Sequence, residues 1–268
     1  MADTTLVSGT LAVLVSDYVV GVDGCAGGWV AVWPTAAGGF ESDRYDEFAA
    51  VVDVHATAER ILIDMPIGLP ETEPRECDSV ARERLGARGR SVFPVPCRAV
   101  VEYAIEADED AEYGQANELQ RENLGSGLSK QAWNITPKIA EIDRLLHEES
   151  LAVDIVESHP ECCFAALNDW YPVAQPKATA AGRAARFGVL DSDLAGWRAC
   201  YEAALDDYYR KHVARDDIID AMALVAAGQH SLTSLPTDPP TDAAGLPMQI
   251  VVPDIEPSWE SFVALAER

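Results

Sequence analysis

Several carboxylates in this chain sit where hydrophobic patterning argues against charge. Asp23 follows the apolar run VVGV, Asp64 follows ILI, and Glu157 follows DIV. An ionised carboxylate in a dry environment costs several kcal/mol unless it is paired or coordinated. Taken singly, each reads as a strand-end acid that caps a turn or a helix. A second set lies in RDDIIDAMALVAAGQH, residues 215–230, which reads as a helix apolar on nearly every side. There Asp217 and Asp220 are spaced i, i+3, and Asp216 and Asp220 i, i+4, so both pairs run along one face. Asp216 or Asp217 alone is accounted for as a helix cap. Asp220 lies a turn inside, among Ile218, Ile219, Ala221 and Met222, where capping does not reach. A hard divalent cation such as Mg²⁺ or Mn²⁺ takes carboxylate oxygens, and two such ions about 4 Å apart can clamp the attacking and leaving oxygens of phosphoryl transfer. On this reading the helix carries its acids to the carboxylates at the strand ends.

The elements that must position these acids are legible from periodicity. DYVVGVDG and GWVAVW, around a glycine-rich turn, predict a hairpin; GGFESDRYDEF supplies a third strand before a short helix to about Val54. RILID, residues 60–64, predicts a buried strand ended by Pro66 and Gly68. Residues 71–150 carry few strand signals, and helices are expected at Pro74–Leu85, Tyr113–Leu124 and Lys130–Glu148. A strand returns at Val153–Glu157, followed by a helix with Pro160 in its first turn. Further helices are expected at Lys177–Val189 and Leu194–His212, ahead of the closing acidic helix. LPTDPPTDAAGLP reads as a surface loop and MQIVVP as one last strand. There is no internal repeat.

Composition bounds the setting. The 268 residues suit one large domain or one domain with a substantial insertion. The formal net charge is −25, and lysine is confined to Lys130, Lys138, Lys177 and Lys211. An acidic, lysine-poor surface fits a protein adapted to molar salt, where charge repulsion is screened within roughly 3 Å. Such a charge argues against indiscriminate binding to nucleic acid. The six cysteines form no C-x-x-C pair and read as reduced core residues. LAVLV near the N-terminus is too short to span a bilayer, and Asp3 stands where a signal peptide needs basic residues, so a cytoplasmic protein without a membrane partner is expected.

A glycine-rich first hairpin bearing an aspartate, an acid on a later central strand and a closing helix with D-x-x-D-A together resemble the ribonuclease H-like superfamily. DDIIDAMALVAA is similar to the last helix of its Holliday-junction resolvases. More closely, GVDGCAGGWV, IDMPIGLP, RECDSVARERLG, SVFPVPCRAV, LSKQAWNITPKIAEID and ESHPECCFAAL resemble predicted nucleases of domain-of-unknown-function family 429. The resemblance runs from about Val19 to Gly228. It implies an α/β fold, a ribonuclease H-like five-stranded mixed sheet with flanking helices and a helical insertion between the fourth and fifth strands, with the first and fourth strands side by side. The domain would span 17–230, its insertion about 71–150, after an N-terminal extension (1–16) and before a C-terminal loop with a possible extra strand (231–268). Carried over by position, Asp23 matches the first-strand metal ligand, Asp64 the fourth-strand acid, and Asp217 with Asp220 the closing-helix pair. Glu157 ends the fifth strand. The superfamily often has glutamate at the fourth-strand position, and aspartate is one methylene shorter, so the alternative is that Glu157 binds the metal and Asp64 orients a ligand. The implied activity is Mg²⁺- or Mn²⁺-dependent phosphodiester hydrolysis in nucleic acid or another phosphate-bearing substrate.

Two other function classes share this fold. A kinase of the actin and sugar-kinase type would use DGCAGGW as a phosphate loop, but it needs a second glycine-rich loop and a late Gly-Gly contact, where this chain has MPIGLP and Gly228-Gln229. A non-catalytic binding module would be expected to lack the acids, all of which are present. Within the insertion, Arg75, Arg82, Arg84, Arg88, Arg90 and Arg98 face only Glu76, Asp78 and Glu83. Arginine's planar fork suits phosphate oxygens, so Arg75, Arg82, Arg88 and Lys130 are candidate substrate contacts. The alternative is a set of salt bridges internal to the insertion. Phe93, between prolines in SVFPVP, is either a base-stacking platform or a packing anchor. Trp133 and Lys138 carry the same ambiguity.

Overall fold

The computed structural model describes residues 18–148 and 151–257. The N-terminal extension expected over residues 1–16 lies outside them. The chain opens with the hairpin β1 (Val19–Cys25) and β2 (Gly28–Pro34), adds β3 (Phe40–Tyr45) and helix α1 (Phe48–Val54), and returns through β4 (Arg60–Ile63). The insertion follows: α2 (Glu76–Leu85), a 3₁₀ turn (Gly86–Ser91), α3 (Arg98–Ala107), α4 (Tyr113–Leu124) and α5 (Lys130–Glu148). Then come β5 (Asp154–Glu157), α6 (Pro160–Leu167), α7 (Ala180–Asp193), α8 (Trp197–Asp207) and α9 (Arg215–Ala227). Strands β6 (Leu232–Leu235) and β7 (Ile250–Pro253) close the described chain as a separate antiparallel pair.

The main sheet is mixed, in the order β3-β2-β1-β4-β5. β1 runs antiparallel to β2 and parallel to β4, and β5 runs parallel to β4. Parallel pairing of β1 with β4 brings the C-terminal ends of both strands to the same edge. Asp23 and Asp64 therefore end up as neighbours, the latter just past its strand with its N–H bonded to Val22 O at 2.9 Å.

Departures from the expected elements have local causes. The helix expected from Lys177 starts at Ala180, because Thr179 caps it by accepting the Gly182 N–H at 3.0 Å. Lys177 thus stays in the preceding loop. Helix α3 was not signalled by the pattern, since only Val100 and Val101 of its ten residues are buried. The expected last strand forms as β7, but its partner β6 lies in a short, half-buried stretch with no strand signal.

Strand alternation sorts the core. Val20, Val22, Ile61, Ile63 and Ile155 face α1 and α5, packing with Phe48, Val51, Ile139 and Ile142. Val19, Leu62 and Val156 face the other way, toward α6 and α9, with Cys163 and Leu224. All six cysteines are free and buried. On the second face α9 lies directly over β1. A Cβ at Gly21 would stand 2.1 Å from Ala221 O and 2.9 Å from Val225 N, both backbone atoms that cannot move aside alone. At Gly228 a Cβ would stand 2.5 Å from Val19 Cγ1, so the seam is tight at both ends of the contact. Gly21→Ala should therefore lift α9 off the sheet and cost at least about 1–3 kcal/mol, the usual range for overpacking, measured by denaturant unfolding. An unchanged unfolding midpoint would show that the seam has room to spare.

Candidate metal centre

Asp23, Gly21 and Val19 alternate onto the α9 face of β1, and Asp64 shares that face with Leu62. Since α9 is pressed onto β1, Asp220 on its second turn meets both. Asp23, Asp64 and Asp220 each offer a carboxylate oxygen, and these atoms all lie within 4.8 Å of one another, a grouping that can hold a metal ion. Asp23 is 7% exposed and Asp220 2%. Hard oxygen donors of this kind suit Mg²⁺ or Mn²⁺.

The acids are uncomfortable as anions. Burial, then repulsion from Asp64, Asp220 and Asp217, raises the pKa of Asp23 well above the ordinary carboxyl value. Burial pushes Asp64 up to about 7, although Lys177 draws it back. Asp220 is pushed up to about 6 by burial, against the pull of Lys177. Asp217 is also pushed up to about 6 by burial; its carboxylate accepts the Ala214 N–H at 2.8 Å, so it caps α9 while standing beside the triad. Asp216 is half-exposed.

Two partners of the site carried no signal as site residues in the sequence. Lys177 donates to Asp220 Oδ2 at 2.6 Å and lies 3.6 Å from Asp216 Oδ2. Burial works against its ammonium, but Asp220, and more remotely Asp23 and Asp64, outweigh that and raise its pKa. The only available signal was rarity, as one of four lysines in the chain. Glu161, in the first turn of α6, adds to the negative potential at Asp64 and Asp220 while bonding Arg186.

The remaining predicted residues lie outside the triad, although Glu157 and Arg75 line the same cavity as Asp23 and Asp64. Glu157 alternates with Ile155 onto the opposite face of the sheet from Asp23 and Asp64, and it is not a member of the triad. Its two carboxylate oxygens accept from Arg75 Nη1 at 2.6 Å and Nη2 at 2.7 Å, and Oε2 also accepts the Ile67 N–H at 2.7 Å. Arg75 is 2% exposed and additionally bonds Asp78 and the carbonyls of Ile67 and Gly68. Its donors are all engaged within the protein, the internal ion pairing that was the alternative to a substrate contact, while the residue also lines the cavity beside the triad. Arg82 donates from Nε to Val92 O at 2.9 Å, and Arg88 Nη2 lies 3.7 Å from Glu161 Oε1. Lys130 sits 3.2 Å above the Tyr113 ring, which in turn meets Trp133 edge-on. These side chains brace the insertion, and the structure does not gather them with the triad into one cationic clamp.

A cavity of about 450 Å³ opens beside the triad, lined by Asp23 and Asp64 together with Val92, Phe93, Asn134, Lys138 and His159 among others. The chain is thus an α/β protein whose mixed sheet and closing helix converge on a buried acid triad next to a cavity. By sequence it belongs to the family described as a protein of unknown function (DUF429), whose profile matches residues 21–241. No curated protein and no solved structure matches it.

Two consequences can be measured. Replacing Arg75 by Gln leaves Glu157 and Asp78 as buried charges without their partner and should cost about 3–5 kcal/mol of folding free energy in denaturant titrations; a loss below 1 kcal/mol, in keeping with an exposed pair, would contradict the buried geometry. The second concerns pH. Asp64 titrates near 7 in the folded, metal-free protein against an ordinary value of 3.8, so the folded state binds more protons than the unfolded chain and stability rises as pH falls from 8 toward 6.5. Below that, His55, lowered by burial to about 4, opposes the gain because the unfolded chain then takes up its proton. Melting in the presence of a chelator should show a higher midpoint at pH 6.5 than at pH 8, and Asp64→Asn should shrink the difference. A pH-independent midpoint would mean that Asp64 is not desolvated.

Proposed function

We propose that this protein is a divalent-metal-dependent nuclease of the ribonuclease H-like superfamily, hydrolysing phosphodiester bonds. The observation that carries the reading is the meeting of Asp23, Asp64 and Asp220 from two adjacent parallel strands and the closing helix. The five-stranded mixed sheet with β1 beside β4, and the helices between β4 and β5, support this reading. Mg²⁺ or Mn²⁺ would be held by Asp23, Asp64 and Asp220, with Asp217 adding negative potential from the first turn of α9. Such an ion lowers the pKa of bound water and neutralises charge on phosphate oxygens.

The chain's own residues supply the rest. Burial and mutual repulsion make the triad favour a cation over being empty. Lys177 already meets part of that demand at Asp220, so it moderates repulsion in the metal-free protein. The acidic, lysine-poor surface fits a host with molar intracellular salt and a cytoplasmic setting, and activity is best sought under those conditions.

Asp23→Asn tests the proposal. Asp23 is repelled by Asp64, Asp220 and Asp217 and does not bond Lys177, so removing its charge should leave the metal-free protein at pH 8 equally or more stable. The same change should abolish the rise in melting temperature that Mn²⁺ gives the native protein. Phosphodiesterase activity on single-stranded, branched and duplex DNA and RNA in molar KCl should fall by about 100-fold or more, since even groups that only orient metal ligands are worth 10–100-fold. Undiminished Mn²⁺ stabilisation in the variant would overturn the assignment.

A further inference from the structure

The cavity beside the triad has a chemical character of its own. Part of its lining is apolar: Val92, Val95, Met65 and Phe93, the last half-buried and packed against the cluster of Cys97, Val100 and Leu128. Helix α5 contributes Gln131, Asn134, Ile135 and Lys138 to the same lining. Their spacing of i, i+3, i+4 and i+7 puts them on one helical face. Lys138 is engaged with Gly28 O and the Trp29 ring, but Gln131 and Asn134 are exposed, which leaves two primary amides open to a ligand. His159 also lines the cavity, and its Nδ1 is buried without a hydrogen-bond partner among the described residues. The volume of about 450 Å³ falls in the range of roughly 300–1,000 Å³ typical of small-ligand sites.

We propose that this cavity is a site for a single nucleobase, so that the substrate is one nucleotide held out of any duplex with its phosphate directed at the acid triad. An apolar lining containing an aromatic ring offers a stacking surface to any base. Primary amides carry both donors and acceptors, the combination that matches a base edge. A base still stacked in a duplex does not reach a recessed site, so the nucleotide must come from a single strand, a strand end or an extruded position. This agrees with a net charge of −25, which disfavours the long cationic footprint that duplex binding needs. The direction of the phosphate rests on the nuclease reading above; the recognition of the base does not.

Calorimetric titration of the full-length protein in molar KCl, with and without Mn²⁺, tests the proposal using nucleoside 5′-monophosphates and ribose 5-phosphate as probes. The nucleotides should bind at least about tenfold more tightly than the base-free sugar phosphate, the equivalent of 1.4 kcal/mol. Gln131→Ala with Asn134→Ala changes only exposed positions to a good helix former and should remove that difference while leaving the melting temperature unchanged. Should the double variant fail to fold, Phe93→Leu serves the same purpose from the apolar lining. Equal binding of nucleotide and ribose phosphate to the native protein, or a preference that survives both sets of substitutions, would overturn the base site. Base-selective binding without hydrolysis of any phosphodiester would instead remove the proposed function and leave the base site standing.

Discussion

The close approach of α9 to β1 at Gly21 is the contact on which the rest of the site depends. A backbone carbonyl and a backbone amide of the helix occupy the space where any side chain at position 21 would begin. Ile218, Ile219, Met222 and Val225 then fill the surrounding face of the sheet. Burial of this apolar helix supplies the favourable free energy that holds Asp220 within reach of Asp23 and Asp64, three groups that repel one another. Hydrophobic packing and electrostatic repulsion are opposed at this seam. The stored repulsion is what a bound cation would relieve.

Two charge clusters border the same cavity, and they differ in kind. In one, Arg75 is met by Glu157 and Asp78, and its guanidinium is saturated by carboxylates and backbone carbonyls. That cluster is closed. It ties the start of the insertion to the end of β5 and to the loop after β4, and so fixes one wall of the cavity. In the other the acids outnumber the cations: Asp23, Asp64, Asp217, Asp220 and Glu161 contribute to one potential, against Lys177 and the Arg186 and Arg88 beside Glu161. That cluster is open, and its raised carboxyl pKa values reflect the unmet demand.

Much of the fold was legible because its signals are local. Apolar runs of strand length, glycine and proline punctuation, and an apolar helix with acids in its first half predicted β1, β2, β4, β5 and α9 close to where they lie. Helix α3 and strand β6 escaped notice for the same reason in reverse, since each buries few residues of its own. Asp23, Asp64 and Asp220 stood out because charge at the end of a buried strand or inside a buried helix is costly, and that cost is visible in one dimension. Glu157 raised the same alarm with a different resolution. Its alternation with Ile155 already placed it on the opposite face from Asp64, a clue available in DIVE but decisive only once the sheet was known to be shared.

The sequence by itself determined which residues had to be buried and which buried acids needed a partner, because hydrophobic periodicity and desolvation cost are properties of each segment. Tertiary structure alone decided who the partners are. Arg75 is the counter-ion of Glu157, a residue 82 positions away. Lys177, in a loop with no pattern of its own, becomes the counter-ion of Asp220 across 43 positions. Coulomb energy depends on distance in space and on the dielectric in between, and neither is encoded in spacing along the chain.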